Sequence, residues 1–116
     1  MSKPVAHYSA SYRAGDLLFV SGQVGIADGS LVEGVENQAA QALSNVQAVL
    51  AQNELTLEHV VKCTVFMTDI DDFAVVNATY AAVFAEHRPS RSAIAVKALP
   101  LGALVEIEAI AHLATS

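Results

Sequence analysis

The stretch Val60-Val61-Lys62-Cys63-Thr64-Val65-Phe66-Met67, followed by Asp69-Ile70-Asp71-Asp72 and Phe73-Ala74-Val75-Val76-Asn77, decides the fold class. Its first part is rich in β-branched and aromatic residues, which predicts a strand. The aspartates then offer carboxylates to the unpaired N–H groups and the positive dipole end of a helix. In that helix Phe73, Val76, Asn77, Tyr80, Val83, Phe84 and His87 form a stripe at helical spacing. Pro89 is expected to stop it. Two further strands follow, about Arg91 to Lys97 and Leu104 to Leu113, separated by Pro100-Leu101-Gly102.

Working back toward the N-terminus, Val35, Ala39, Ala42, Leu43, Val46, Val49 and Leu50 recur with a helical period. Before them, Asp28-Gly29-Ser30 reads as a turn after Gln23-Val24-Gly25-Ile26. Ala14-Gly15-Asp16 reads as a turn joining a strand around Tyr8 to Arg13 with Leu17-Leu18-Phe19-Val20. The order is two strands, helix, strand, helix, strand, strand. It predicts an α+β domain: a single mixed β-sheet of five or six strands with two helices packed on one face. The opposite face carries too few charges to stand in water, so a partner subunit is its expected cover.

Hydrophobic residues make up 53% of the 116, and the mean hydropathy is +0.42. That is high for a small soluble monomer and points to burial between subunits. No apolar stretch reaches the roughly 18 to 20 residues a membrane span needs. Met1-Ser2-Lys3-Pro4-Val5-Ala6-His7 has no apolar core of a secretory signal, and the only thiol is Cys63, which together predict a reducing cytoplasm. Cys63 lies within an apolar run and reads as an inert buried side chain. The net charge is −6 with six scattered basic residues, whereas nucleic-acid binding draws on clustered ones. No nucleic acid and no membrane partner are therefore expected.

Arg91 stands in Arg88-Pro89-Ser90-Arg91-Ser92 at the head of Ala93-Ile94-Ala95-Val96. Arginine suits two-point recognition of a carboxylate, and the small residues beside it leave room for one. Its ordinary alternative is a surface arginine paired with an acid. Glu106 and Glu108 interrupt the apolar run Leu104 to Ala111 and, two apart in a strand, share one face. A like-charged neighbour and apolar surroundings would raise a carboxyl pKa toward the range of a general acid–base. Alternatively they cap a solvated strand face, or one of them pairs with Arg91. Together, a planar cation and acids so placed suggest a small anionic ligand beside a proton-handling group.

His7, His59, His87 and His112 show no metal-ligand spacing, so no metal site is expected. Neither phosphate-loop pattern nor nucleophile elbow occurs, which removes nucleotide cofactors and serine-hydrolase chemistry.

Four blocks resemble one family. Ala14-Gly15-Asp16-Leu17-Leu18-Phe19-Val20-Ser21-Gly22-Gln23, Asp72-Phe73-Ala74-Val75-Val76-Asn77-Ala78-Thr79-Tyr80, Pro89-Ser90-Arg91-Ser92 and Val105-Glu106-Ile107-Glu108-Ala109-Ile110-Ala111 are similar to signature segments of the RidA/YjgF/L-PSP proteins, the reactive intermediate deaminases. They occur in order over nearly the whole chain. The resemblance implies a single RidA-like domain over residues 1–116, a chorismate-mutase-like fold and a homotrimer with a site in each cleft between subunits. It also implies hydrolysis of reactive enamine and imine acids, such as 2-aminoacrylate, to 2-keto acids and ammonia without a cofactor.

By the same resemblance Arg91 matches the carboxylate-binding arginine and Glu106 the glutamate that positions or activates water. Tyr8, Ser21, Gly22 and Asn77 match other pocket positions. Ala93 stands where the family usually has a cysteine, which excludes a thiol role there. The segment from His87 to Pro89 is shorter than in the best-known members, and Arg88 replaces an apolar residue at the pocket rim. Rival readings are a non-catalytic binder or sensor of small carboxylates, a specialised catabolic enamine deaminase, and a ribonuclease.

Overall fold

The computed structural model describes residues 6–113. In chain order the elements are β1 (Ser11–Ala14), β2 (Leu17–Val24), a short hairpin of β3 (Ile26–Ala27) and β4 (Ser30–Leu31), α1 (Val35–Gln52), β5 (Val60–Met67), α2 (Phe73–Phe84), β6 (Ser90–Ala95) and β7 (Val105–His112). The main sheet has five strands in the order β1-β2-β7-β5-β6, and β3 with β4 stands apart from it. All its neighbours are antiparallel except β5 and β6. A parallel pair needs a crossover connection, and α2 supplies it. The predicted mixed sheet is present, and the small hairpin is a separate two-stranded unit.

Both turns expected from glycine form tight hairpins. Ala14 pairs with Leu17, and Gly15 takes a φ of 60° between them. Ala27 pairs with Ser30 across Asp28 and Gly29, both at positive φ, which is the backbone twist that two-residue hairpins favour.

Both helices pack on one face. Leu43, Val46, Val49 and Leu50 of α1 and Val76, Tyr80 and Phe84 of α2 share a core with Leu18, Val20, Cys63, Val65, Met67, Val105, Ile107, Ala109 and Ala111. The strand residues among them alternate along each strand, as a one-sided core requires. Polar groups of α1 are satisfied across the layer. Gln38 Oε1 accepts from the Leu104 N–H at 2.9 Å, and Asn45 Nδ2 donates to the carbonyls of Val24 and Ile26. Gly25 permits this approach, because a Cβ there would lie 2.6 Å from Gln38 Cα.

Two local expectations are corrected. The carboxylate cap belongs to Asp69, which accepts from the Asp71 N–H at 2.9 Å and caps a 3-10 turn leading into α2; Asp72 makes no capping bond. The second helix ends at Phe84 rather than at Pro89. Ala85 turns left-handed at φ 56° and its N–H closes on Ala81. His87 leaves the helical stripe, and its ring nitrogen bonds the Val60 carbonyl at 2.8 Å.

No helix among the described residues is long and apolar enough to cross a membrane. The sheet face away from the helices carries Phe19, Thr64, Phe66, Ile94 and Ile110 together with Lys62, Glu106 and Glu108. Phe19 and Ile94 there are 41% and 46% exposed.

Candidate functional site

Register divides the candidate residues into two groups. Arg91 pairs with Cys63, and Cys63 with Ala109, all on the helix-covered face. Glu106 pairs with Phe66 on one side and Val24 on the other, on the open face. Glu108 shares that open face, as the strand alternation predicts. Arg91 and Glu106 therefore do not meet within one chain. Two strand spacings and three residues along the strand, each roughly 10 Å, separate them on opposite sides of the sheet.

The Arg91 group is built by α2 against the edge strand β6. Phe73, Asn77 and Tyr80, at i, i+4 and i+7, fall on one side of the helix. Arg91 Nη1 donates to Asn77 Oδ1 at 2.8 Å. The guanidinium carbon lies 4.8 Å from the Tyr80 ring centroid and 5.7 Å from that of Phe73. Each such contact contributes about 0.5–1 kcal/mol at a partly exposed site and limits the rotation of a long side chain. No carboxylate among the described residues pairs with Arg91, so the ordinary structural use of a surface arginine does not apply. Ala93 follows on the same face of β6 and packs, partly buried, against the core.

Beneath this cation lie Tyr80 and Cys63. The Tyr80 hydroxyl is buried with no well-formed hydrogen bond, the neighbouring Cys63 thiol being at most a weak partner. Burial raises the phenol pKa well above its usual range, and proximity to Cys63 adds to the rise. Burial also pushes the Cys63 thiol up, against the opposing effects of Tyr80 and Arg91. A neutral, buried thiol is a poor nucleophile. Phe73 and Tyr80 read from sequence as core residues only. Their spacing around Asn77 was the available signal that they also grip Arg91.

The Glu106 group lies on β7 and β2. Burial, and then the charge of Glu108, raise the Glu106 carboxyl above the ordinary range. In β2, Val20 pairs with Ala109 but Gln23 pairs with Ile107, so β2 carries one extra residue between them. Ser21 and Gly22 occupy this bulge, a device that re-aims side chains beside functional sites. The Ser21 hydroxyl donates to the Ser9 carbonyl at 2.6 Å and its N–H to Ala10 at 2.9 Å, which ties down the segment carrying the half-exposed Tyr8. Sequence did not single out Ser9. A shallow depression of about 110 Å³ lies nearby, lined by Lys62, Thr64, Glu108, Ala109 and Ile110. It includes neither Arg91 nor Glu106. Among the described residues no group of His, Cys, Asp and Glu is arranged to hold a metal ion.

The sequence matches the family model described as Endoribonuclease L-PSP over residues 1–113. It is 41% identical over 112 residues to the 2-iminobutanoate/2-iminopropanoate deaminase of Salmonella typhimurium, covering 92% of this chain and 88% of that protein. The chain belongs to the RidA/YjgF/L-PSP family. Among solved RidA/YjgF structures, the YjgF gene product of E. coli superposes with a TM-score of 0.90 at 39% identity, covering 94% of this chain and 90% of that one. E. coli TdcF, solved with bound serine, superposes with a TM-score of 0.91 at 36% identity over 95% and 91% of the two chains. The α+β architecture of one mixed sheet and two helices is thus the architecture of this RidA/YjgF/L-PSP chain and its neighbours.

Proposed function

We propose that this protein hydrolyses reactive enamine and imine acids, such as 2-aminoacrylate, to 2-keto acids and ammonia. The observation that carries this reading is an unpaired guanidinium, held by Asn77 and two rings, in a chain whose second conspicuous polar group is a carboxyl of raised pKa. The family relationship, with one member at 41% identity named a deaminase, supports it.

In the mechanism Arg91 forms a two-point ion pair with the substrate carboxylate. The α2 contacts have already restrained the cation, so less freedom is lost on binding. An enamine such as 2-aminoacrylate first tautomerises to the imine, its terminal carbon gaining a proton as its nitrogen loses one. Glu106 then takes a proton from water as the oxygen attacks the imine carbon. It returns that proton to the nitrogen, giving a carbinolamine. It then carries the hydroxyl proton to the same nitrogen as the carbonyl forms and the C–N bond breaks to release ammonia. Water enters, the C–N bond breaks, and no electrons are exchanged with an external partner. Holding the water and imine together lowers the barrier by several kcal/mol.

Because Arg91 and Glu106 occupy opposite faces of one sheet, this chemistry requires two copies of the chain. Arg91, Asn77 and Ala93 come from one subunit; Glu106, Gly22, Ser21 and Tyr8 come from its neighbour. The exposed Phe19 and Ile94 favour burial of the open face between subunits. A closed head-to-tail ring, here a homotrimer with a chorismate-mutase-like arrangement, repeats this interface without leaving open ends.

The decisive assay generates 2-imino acids freshly and follows ammonia and keto-acid release. Turnover above the buffer rate that disappears in Arg91→Ala supports the reading. A wild-type rate equal to buffer rejects it. The serine-bound TdcF structure favours a second reading, a binder of small carboxylates, for which saturable binding without turnover is the signature. Ribonuclease activity is outside the proposal, since a net charge of −6 with scattered cations opposes phosphate binding.

A further inference from the structure

We propose that Gly22 is a positioning residue for Glu106: the side chain it lacks is the space in which the Glu106 carboxyl lies. This rests on the assignment of water handling to Glu106 above. Glycine is often retained because the backbone takes a positive φ, and Gly15, Gly29, Gly34 and Gly102 do so; Gly22 does not. Its backbone conformation is open to any residue, so the reason for glycine lies in the space beside it.

A Cβ built at Gly22 would meet Glu106 Oε2 first, then Glu106 Cδ at 2.7 Å and Glu106 Cγ at 3.0 Å. The three nearest atoms all belong to the same side chain. Gly25 offers the contrast, since a Cβ there would strike the backbone of Gln38 and disturb helix packing. At Gly22 the obstruction is the free end of a flexible side chain, which can move without disturbing the fold.

The bulge explains how the two come to face each other. Regular alternation from Val20, which points into the core, would direct residue 22 toward the core as well. The extra residue re-phases the strand, so that position 22 faces the carboxyl on β7. Glu106 then lies across the bulge instead of standing out from the sheet. Contact with the strand takes part of its carboxyl out of water, consistent with the burial that raises its pKa.

The test is Gly22→Ala, alone and with Glu106→Gln or Glu106→Asp, in the full-length protein. The single variant should fold and assemble as wild type. Its kcat should fall roughly tenfold to hundredfold with KM within about twofold, because the water is held in the wrong place while Arg91 still binds the carboxylate. In the Glu106→Gln background Gly22→Ala should cost nothing more, whereas independent roles give multiplicative losses.

Carboxyl-carbon NMR provides a readout separate from turnover. The displaced Glu106 reaches water, so its titration midpoint should fall; an unmoved or raised midpoint in a folded variant overturns the proposal. This arm remains decisive even if the wild type deaminates nothing. Should Gly22→Ala fail to fold, restored folding in Gly22→Ala/Glu106→Asp supports the steric account, since the shorter acid vacates the space. Failure of both overturns it.

Discussion

The two faces of the sheet use the same strands for opposite ends. On the covered face, Leu18, Val65, Met67, Val105 and Ile107 are almost wholly removed from water, and the core they form with the helices stabilises the chain. On the open face the alternate residues mix Phe19, Phe66, Ile94 and Ile110 with Lys62, Glu106 and Glu108, and Phe19 and Ile94 remain over 40% exposed. Strand alternation alone produces this division. Chemistry follows the same division: the cation lies on the covered side at the sheet's edge, and the acid lies on the open side. Under the proposed function, each face then supplies half of a site completed by a second copy of the chain.

The largest effects should come from the covered face. Ile107→Ala removes a fully buried side chain and should cost about 2–5 kcal/mol in urea unfolding. Ile94→Ala, on the open face, should change chain stability far less and should instead weaken assembly, read as a lower mass on dilution in light scattering. Equal losses of unfolding stability for the two variants would erase the distinction between faces. Next in size, Arg91→Ala should lower kcat/KM for an imino acid by about a hundredfold or more, since it removes a two-point charge-assisted contact. Arg91→Lys should recover only part of that loss, because an ammonium cannot present a planar fork.

Much of this arrangement was legible in sequence. The β-branched run at Val60, the helical periods from Val35 and Phe73, and the glycine turns at Gly15 and Gly29 are local signals, and each produced its element. Glu106 and Glu108 sharing a face also follows from local alternation. What sequence did not disclose is non-local. Which face Arg91 occupies relative to Glu106 depends on the registers joining β6 to β5 and β5 to β7. The bulge at Ser21 and Gly22 is visible only against the pairing of β7. Likewise, α2 ends at Phe84 because Ala85 turns left-handed and His87 bonds the Val60 carbonyl, a contact between distant segments.

The smallest expected effect concerns the open face alone. A raised Glu106 pKa means that the folded chain holds this proton more tightly than the unfolded chain. Stability then declines as pH rises from the ordinary glutamate range through the raised value. Glu106→Gln carries no charge to desolvate, so it should be slightly more stable than wild type at neutral pH. The difference should vanish in acid, where both side chains are neutral. Thermal melts across this range check the sign, and a variant less stable than wild type at neutral pH would contradict it.

In the proposed enzyme one catalytic site joins the covered face of one subunit to the open face of another. Mixing Arg91→Ala with Glu106→Gln, each expected to be severely impaired alone, and allowing subunits to exchange tests this directly. If every site draws Arg91 and Glu106 from different copies, random exchange restores both residues at roughly a quarter of the interfaces of a closed ring. Turnover should therefore return to roughly a quarter of the wild-type value, a share set by this interface statistic. If both residues act within one chain, no mixed assembly contains an intact site. Activity that stays at the level of the separate variants, after exchange has been demonstrated, would contradict the account.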